Sequence, residues 1–311
     1  MVQTSRLRDL LQRYGLVLSF LALCIALSIL SDRFLTTGNI VNILRQSSIN
    51  GIIAMGMTFV ILTAGIDLSV GAVLALATVV AADLMQQEIA VPLAVAVGLG
   101  LGALLGLVNG VIITKAKVPP FIATLGMMTV ARGLSLTYTQ GRPITGLPES
   151  FRTLGTGSIG PVPMPIVIAS AAFLVAYFLL TRMRTGEYIY AIGNNPVAAR
   201  YAGINTDRNI MFVYASAGLL SAVAGMILVA RLNSAQPTAG LGYEFDAIAA
   251  VVVGGTSFAG GQGGLGGTLL GVLVIAVLSN GLNLLNVSSF YQPVVTGVVI
   301  ALALLLYKAI R

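Results

Sequence analysis

Uninterrupted apolar stretches of about 16 to 25 residues recur along the whole chain, the length that crosses a hydrocarbon layer roughly 30 Å thick. Inside lipid, backbone that is neither helical nor closed into a barrel leaves polar groups unsatisfied, so runs of this length are read as helices. Composition agrees: 57% of the 311 residues are apolar, 9% are charged, and the mean hydropathy is +0.96. A water-soluble domain of this size needs far more polar surface. The expected fold class is therefore an all-α polytopic membrane protein. One transmembrane domain covers residues 1–311, with spans near 15–30, 40–64, 68–85, 90–113, 119–137, 163–181, 209–230, 246–260, 266–285 and 291–307.

The net charge of +7 invites a nucleic-acid reading, but its distribution argues for orientation instead. With the N-terminus inside, one side receives Arg6, Arg8, Arg13, Lys115, Lys117, Arg182, Arg184, Arg200, Arg208, Lys308 and Arg311. The other receives only Arg33, Arg142, Arg152 and Arg231, while Arg45 and Arg132 fall within spans. This is the positive-inside pattern, and it places both termini in the cytoplasm. Arg6, Arg8 and Arg13 precede the first run as in a signal peptide, but no A-x-A cleavage site follows, so a retained helix is expected. The single Cys24 lies in that run, where a packing role fits and an intrachain disulfide is impossible.

Two connections are long: 137–163, outside and rich in Gly, Pro, Thr and Ser, and 181–209, inside. Gly98, Gly102, Gly106 and Gly110 recur four apart on one helix face, and Ala217, Ser221 and Gly225 repeat the spacing. Small residues so placed let backbones approach closely in lipid. Two places look broken: "TAGIDLSVG" around Asp67, and the glycine-rich stretch at 254–267. Each is either a tight turn at the inner face or a re-entrant element buried near a transport path. Ten spans divide into two halves of five, so an internal duplication would have inverted topology.

Much chemistry is absent. No G-x-x-x-x-G-K-[ST] loop cradles ATP phosphates, and with no His and one Cys neither a Ser-His site nor a His or thiolate metal site can be built. No cofactor is expected. Glu244 and Asp246 stand together at an outer span end, where water can reach them. Arg45, Asp67 and Arg132 are as well suited to snorkelling or capping as to ion coupling. What the spans do carry is neutral and polar: Gln46, Ser47, Ser48, Asn50, Thr58, Thr63, Ser279, Asn280 and Asn283. Such groups either bond helices together or line a path for a hydroxylated solute. Asn50, Thr58, Thr63, Asn280 and Asn283 are the candidate path-lining residues.

Against this polar poverty stands "GNNPVAARYAGINTDR", residues 193–208. Asn195 suits an N-cap, Pro196 the first helical position and Gly203 the residue just past the end. A short exposed helix has been spelled out within an inner loop.

The segments "GMTFVILTAGIDLSVGAVLALA" (56–77), "FIATLGMMTVARGLSLTYTQGRPI" (121–144), "GEYIYAIGNNPVAARYAGIN" (186–205), "SAQPTAGLGYEFDAIAAVVVGGTSFAGG" (234–261) and "NGLNLLNVSSFYQ" (280–292) resemble the monosaccharide permeases of bacterial ABC importers, from about residue 30 onward. The fourth is most similar to the ribose members; relatives for xylose, arabinose, galactose and autoinducer-2 share much of the rest. The resemblance implies a multi-pass permease of the bacterial inner membrane that works by alternating access and is not itself an enzyme. Its implied partners are a second permease copy, an ATP-binding cassette subunit that hydrolyses ATP, and a periplasmic sugar-binding protein.

The resemblance also implies that 195–203 is the helix docking on the ATPase, although it lacks the commonest Glu-Ala-Ala form. Asn195 and Pro196 would start it, Val197, Ala198 and Ala199 would offer a small face, Arg200 would anchor it and Gly203 would end it. Arg142, Arg152 and Arg231, in loops 137–163 and 231–246, become candidate contacts for the binding protein, where complementary charge sets register. The rivals are a stand-alone polyol channel or carrier and an intramembrane Ser-Lys enzyme. The three lysines all sit at the inner face, which disfavours the enzyme.

Overall fold

The computed structural model describes residues 2–291, 293–295 and 297–298. In chain order the helices are α1 (Val2–Leu30), α2 (Thr37–Leu62), α3 (Val70–Gln86), α4 (Val91–Lys115), α5 (Pro120–Thr139), α6 (Glu149–Thr156), α7 (Met164–Arg182), α8 (Arg184–Asn194), α9 (Pro196–Tyr201), α10 (Thr206–Leu232), α11 (Tyr243–Val253) and α12 (Leu265–Leu284). Four two-residue strands, β1 (Ile144–Thr145), β2 (Ser158–Ile159), β3 (Val162–Pro163) and β4 (Ser234–Ala235), punctuate the connections. By length and composition α4, α7, α10 and α12 can each cross a membrane, and Gly15–Leu30 and α3 are shorter apolar helices. The expected tenth span, with Lys308 and Arg311, lies almost wholly outside the described residues.

Helix starts follow local chemistry. Pro92, Pro120, Pro165 and Pro196 occupy the first turns of α4, α5, α7 and α9, where a missing N–H costs nothing. The middle of the molecule is α10, flanked by α4, α2 and α3. The four α4 glycines form its seam with α10: a Cβ on Gly102 would fall 2.6 Å from the Gly218 carbonyl oxygen, and one on Gly110 would fall 2.6 Å from the Met211 Cα. Ala217 meets Gly56 of α2, and Gly225 meets Leu74 and Thr78 of α3. Backbone contact here stands in for the hydrophobic drive that lipid does not supply.

Both broken stretches leave helical geometry inside the bundle. Between α2 and α3, Asp67 and Ser69 are each 1% exposed. The Ile66 carbonyl accepts from Thr124 Oγ1 of α5 (3.2 Å) and from the Tyr214 hydroxyl of α10 (3.4 Å). Ser69 Oγ donates to Asp67 Oδ1 (2.6 Å) and accepts from Asn109 Nδ2 of α4 (2.9 Å). Asp67 is thus a turn former at the start of α3, its partner hydroxyl held by α4.

The eighth span departs from expectation. Instead of a helix over 246–260 there is α11, 11 residues long. The chain reaches it from β4 through turns at Gly240 and Gly242, whose φ values of +70° and +87° suit glycine. This segment folds inward. Arg132 Nη1 of α5 donates to the carbonyls of Pro237 and Ala239, both at 2.8 Å, and Gly240 lies against Gly71 of α3 with its carbonyl 3.0 Å or nearer to any Cβ placed there. Counting along α10 at roughly 1.5 Å per residue, that contact lies about halfway through the bundle. Arg132 thus clamps a segment that folds back into the bundle. Glu244 was expected in water but is 5% exposed, within electrostatic reach of Arg132, because α11 starts within the bundle.

Candidate functional site

Helix α9 is built as its sequence reads. Asn195 Oδ1 accepts from the N–H groups of Val197 and Ala198, both at 3.0 Å. At the other end Gly203, at φ +85°, donates to the Arg200 carbonyl (3.0 Å) while Ile204 donates to that of Ala199 (3.0 Å). This paired closure is the Schellman arrangement, and it requires a residue at ease in left-handed geometry. A helix of six residues has little stability of its own, so these caps fix its shape.

Outward, α9 presents Val197 (62% exposed) and Tyr201 (90%). Ala198 and Arg200 are exposed too, but Ala199 is 5% exposed and packs against the chain's own bundle. One face of so short a helix must rest on something, so the expected three-residue small face loses Ala199 and gains Tyr201, whose aromatic side chain sequence reasoning passed over. Arg200 Nη2 lies 3.4 Å from Asp207 Oδ1, and Lys115 Nζ lies 3.0 Å from Asp207 Oδ2. Lys117 completes the group at 3.9 Å. These exposed pairs contribute at most about 1 kcal/mol each, but they join the ends of α4, α9 and α10. An open groove of about 480 Å³, lined by Tyr188, Ile204, Arg208 and Phe212 among others, runs beside α9.

Inward, the junction of α8 and α9 is wedged against both broken stretches. Gly261 N–H donates to the Leu62 carbonyl (2.9 Å), tying the glycine-rich stretch to the end of α2. Gly193 lies on that same pair with no room for a Cβ, and a Cβ on Gly260 would fall 2.9 Å from the Ala64 nitrogen and 3.0 Å from the Gly193 Cα. The Tyr190 hydroxyl donates to the Gly263 carbonyl (2.9 Å), and burial raises its pKa, so it stays protonated. Helix α8 was not expected from sequence. Its signal was the spacing of Gly186, Ile189, Ile192 and Gly193, all buried.

The candidate path residues are dispersed. Thr58 is fully buried, donating to Ala54 and paired with Thr268 Oγ1 (2.8 Å). Thr63 donates to Val60, and Asn280 exchanges amide hydrogen bonds with Asn39 at 2.8 and 3.0 Å. Asn283 lines an open groove with Ser31, Asp32 and Arg33. Asn50 is half-buried and makes no hydrogen bond among the described residues.

At the end of the bundle opposite α9 the two arginine-bearing loops form one surface. Strand β1 pairs antiparallel with β4, Ile144 opposite Ala235, and Asn233 Oδ1 accepts from Leu147 N–H (3.0 Å). Gly155 of α6 rests on the Ala230–Arg231 backbone. Arg142, Arg152 and Arg231 are all exposed there.

A helical bundle with an exposed capped helix at one end, a joined loop surface at the other and broken segments between is the outline of a transport subunit. Similar proteins have that character. The chain is 52% identical over 294 residues to the ribose import permease protein RbsC of Haemophilus influenzae, covering 92% of this chain and 91% of the relative. It is 53% identical over 298 residues to RbsC of Bacillus subtilis, covering 95% and 92%. To the D-allose transport system permease protein AlsC of Escherichia coli it is 40% identical over 301 residues, covering 96% and 92%. No solved structure matches. The family model described as the branched-chain amino acid transport system / permease component matches residues 39–305, and with relatives this similar over nearly their whole length, the chain belongs to that family.

Proposed function

We propose that this chain is the inner-membrane permease subunit of an ATP-driven importer that moves a monosaccharide, D-ribose, by alternating access. The observation that carries the reading is the graded similarity: the ribose permeases stand well above the allose relative over the same length. Two copies form the path between them. A separate ATP-binding cassette subunit hydrolyses ATP, in keeping with the absence of a phosphate loop from this sequence. A periplasmic binding protein docks on the loop surface carrying Arg142, Arg152 and Arg231. Ten spans with both termini cytoplasmic and an inverted five-plus-five repeat complete the architecture. In support, the third and eighth spans, five apart, are each entered through non-helical chain, and α3 and the segment before α11 meet at Gly71 and Gly240.

In this reading α9 docks on the ATPase through Val197, Ala198, Arg200 and Tyr201. Closure of the ATPase moves α9, and the close-packed backbone at Gly193 passes that motion to both breaks at once, since backbone in contact has no slack to absorb it. The test is ribose uptake into vesicles holding this chain and a cognate binding protein, with and without the ATPase subunit. Uptake is expected only with it, and to be lost in Arg200→Glu and Gly203→Val at normal membrane insertion. Uptake that continues without the ATPase would instead mark a stand-alone channel or carrier.

A further inference from the structure

The polar side chains of α2 differ in what they bond to. Three of its hydroxyls are turned back on their own helix: Ser47 donates to Ile43 (2.6 Å), Ser48 to Leu44 (2.7 Å) and Thr58 to Ala54 (2.7 Å). Of its amides, Asn39 is paired with Asn280, whereas the side chains of Asn42, Gln46 and Asn50 make no hydrogen bond among the described residues; Asn42 and Gln46 are exposed and Asn50 is half-buried. Spaced four apart, they stand on one face.

The same face continues toward the α9 end as Ala54, Met57 and Ile61. There it is fully closed, in one cluster with Ala247, Ile248, Ala250 and Val251 of α11. Helix α11 covers this face of α2 only as far as α11 reaches. Eleven residues span roughly 16 Å, about half a bilayer core, and the stretch that could have completed the helix is clamped elsewhere by Arg132 and Gly71. The three amides occupy the half left open. Where α11 starts, Leu241 and Phe245 stand 75% and 54% exposed.

We infer that Asn42, Gln46 and Asn50 line a water-filled vestibule, open at the end opposite α9, that receives the hydroxyls of the sugar above an apolar floor of Leu241 and Phe245. The inference rests on the transport reading above. Lipid is a poor occupant, since an amide without a partner in hydrocarbon keeps the full cost of its lost hydration. A second copy of the chain fits less well, because a face left uncovered by a helix that stops short is a recess and not a ridge. A sugar matches on both counts. Each amide offers donors and an acceptor to hydroxyls that do the same, and an aromatic beside aliphatic carbon suits the C–H face of a sugar ring.

The experiment uses the full chain with Cys24→Ser, in vesicles with its ATPase and binding protein. Single variants Asn42→Cys, Gln46→Cys and Asn50→Cys are treated with a membrane-impermeant thiol reagent beside Val175→Cys, on an exposed apolar face of α7. The vestibule cysteines are expected to react many times faster than Cys at 175, and ribose-loaded binding protein is expected to change their rates. Gln46→Ala and Asn50→Ala are expected to slow uptake about tenfold, one hydrogen bond's worth, at unchanged stimulated ATPase activity. If a cysteine variant fails to insert, Asn50→Ser read by uptake alone takes its place. Rates equal to that at 175 overturn the vestibule, as does an unreactive Gln46→Cys that forms a disulfide with its counterpart in a second copy. Labelling needs no ATPase, so the pattern can appear even where uptake proves ATPase-independent; only the importer reading then falls.

Discussion

At the scale of single residues, the structure separates side chains that hold the protein from those free to act. Asn195 holds two N–H groups of α9. Its replacement by alanine is expected to remove about 1 kcal/mol from that helix and to lower uptake per ATP hydrolysed without changing insertion, as read by parallel ATPase and uptake assays. Gly193 is less forgiving, since any Cβ collides with backbone of both broken stretches. Gly193→Ala is expected to keep basal ATPase activity while abolishing uptake; uptake near the parent level would show that the junction is not a transmission point. Arg132 holds two carbonyls with one nitrogen. In Arg132→Met both lose a charged donor and Glu244 loses the nearby positive charge of Arg132, so thermal unfolding in detergent is expected to show a loss of about 2–3 kcal/mol.

At the scale of elements, hydropathy located most of the helices. The expected span 119–137 is α5 at Pro120–Thr139, 163–181 is α7 at Met164–Arg182, and 266–285 is α12 at Leu265–Leu284. It failed at the eighth, because an apolar run reports burial in lipid or protein without reporting helix, and 246–260 is buried among other helices for much of its length. The corrective signal lay just upstream in "SAQPTAGLG", where a proline and two glycines forecast extended chain and turns. Helix α9 was legible down to its caps because capping is local chemistry. Its inward Ala199 was not, since which face of a short helix rests on the bundle is settled by tertiary contact. The amphipathic α6 and α8 hid inside loops too polar to be taken for spans. For Gly240→Val, a β-branched residue forced to φ +70° against α3, the re-entrant segment is expected to be expelled, which limited proteolysis of loop 231–242 would register as faster cleavage.

At the scale of the whole molecule, α10 is the central member, and the two broken stretches are tied together by close backbone contact at Leu62, Gly193 and Gly261. Helices α4 and α10 meet through glycines along most of their length, and Lys115, Lys117 and Arg200 gather on Asp207 at one end. The loop surface, through β1 and β4, adjoins the re-entrant segment at the other end. The candidate path was the least legible part. Neutral polar residues in a sequence do not reveal which of them are already satisfied, and Thr58 and Asn280 are satisfied within the chain.

The glycine seam also bears on heredity. Every single-base change that alters a glycine codon installs a residue with a Cβ or stops the chain, so Gly102, Gly106 and Gly218 have no conservative neighbour within one mutational step. In a saturation library selected for growth on the imported sugar, these codons should retain only synonymous variants, while the exposed positions of α7 drift freely among apolar residues. Such a seam can be entered by descent but hardly left by it.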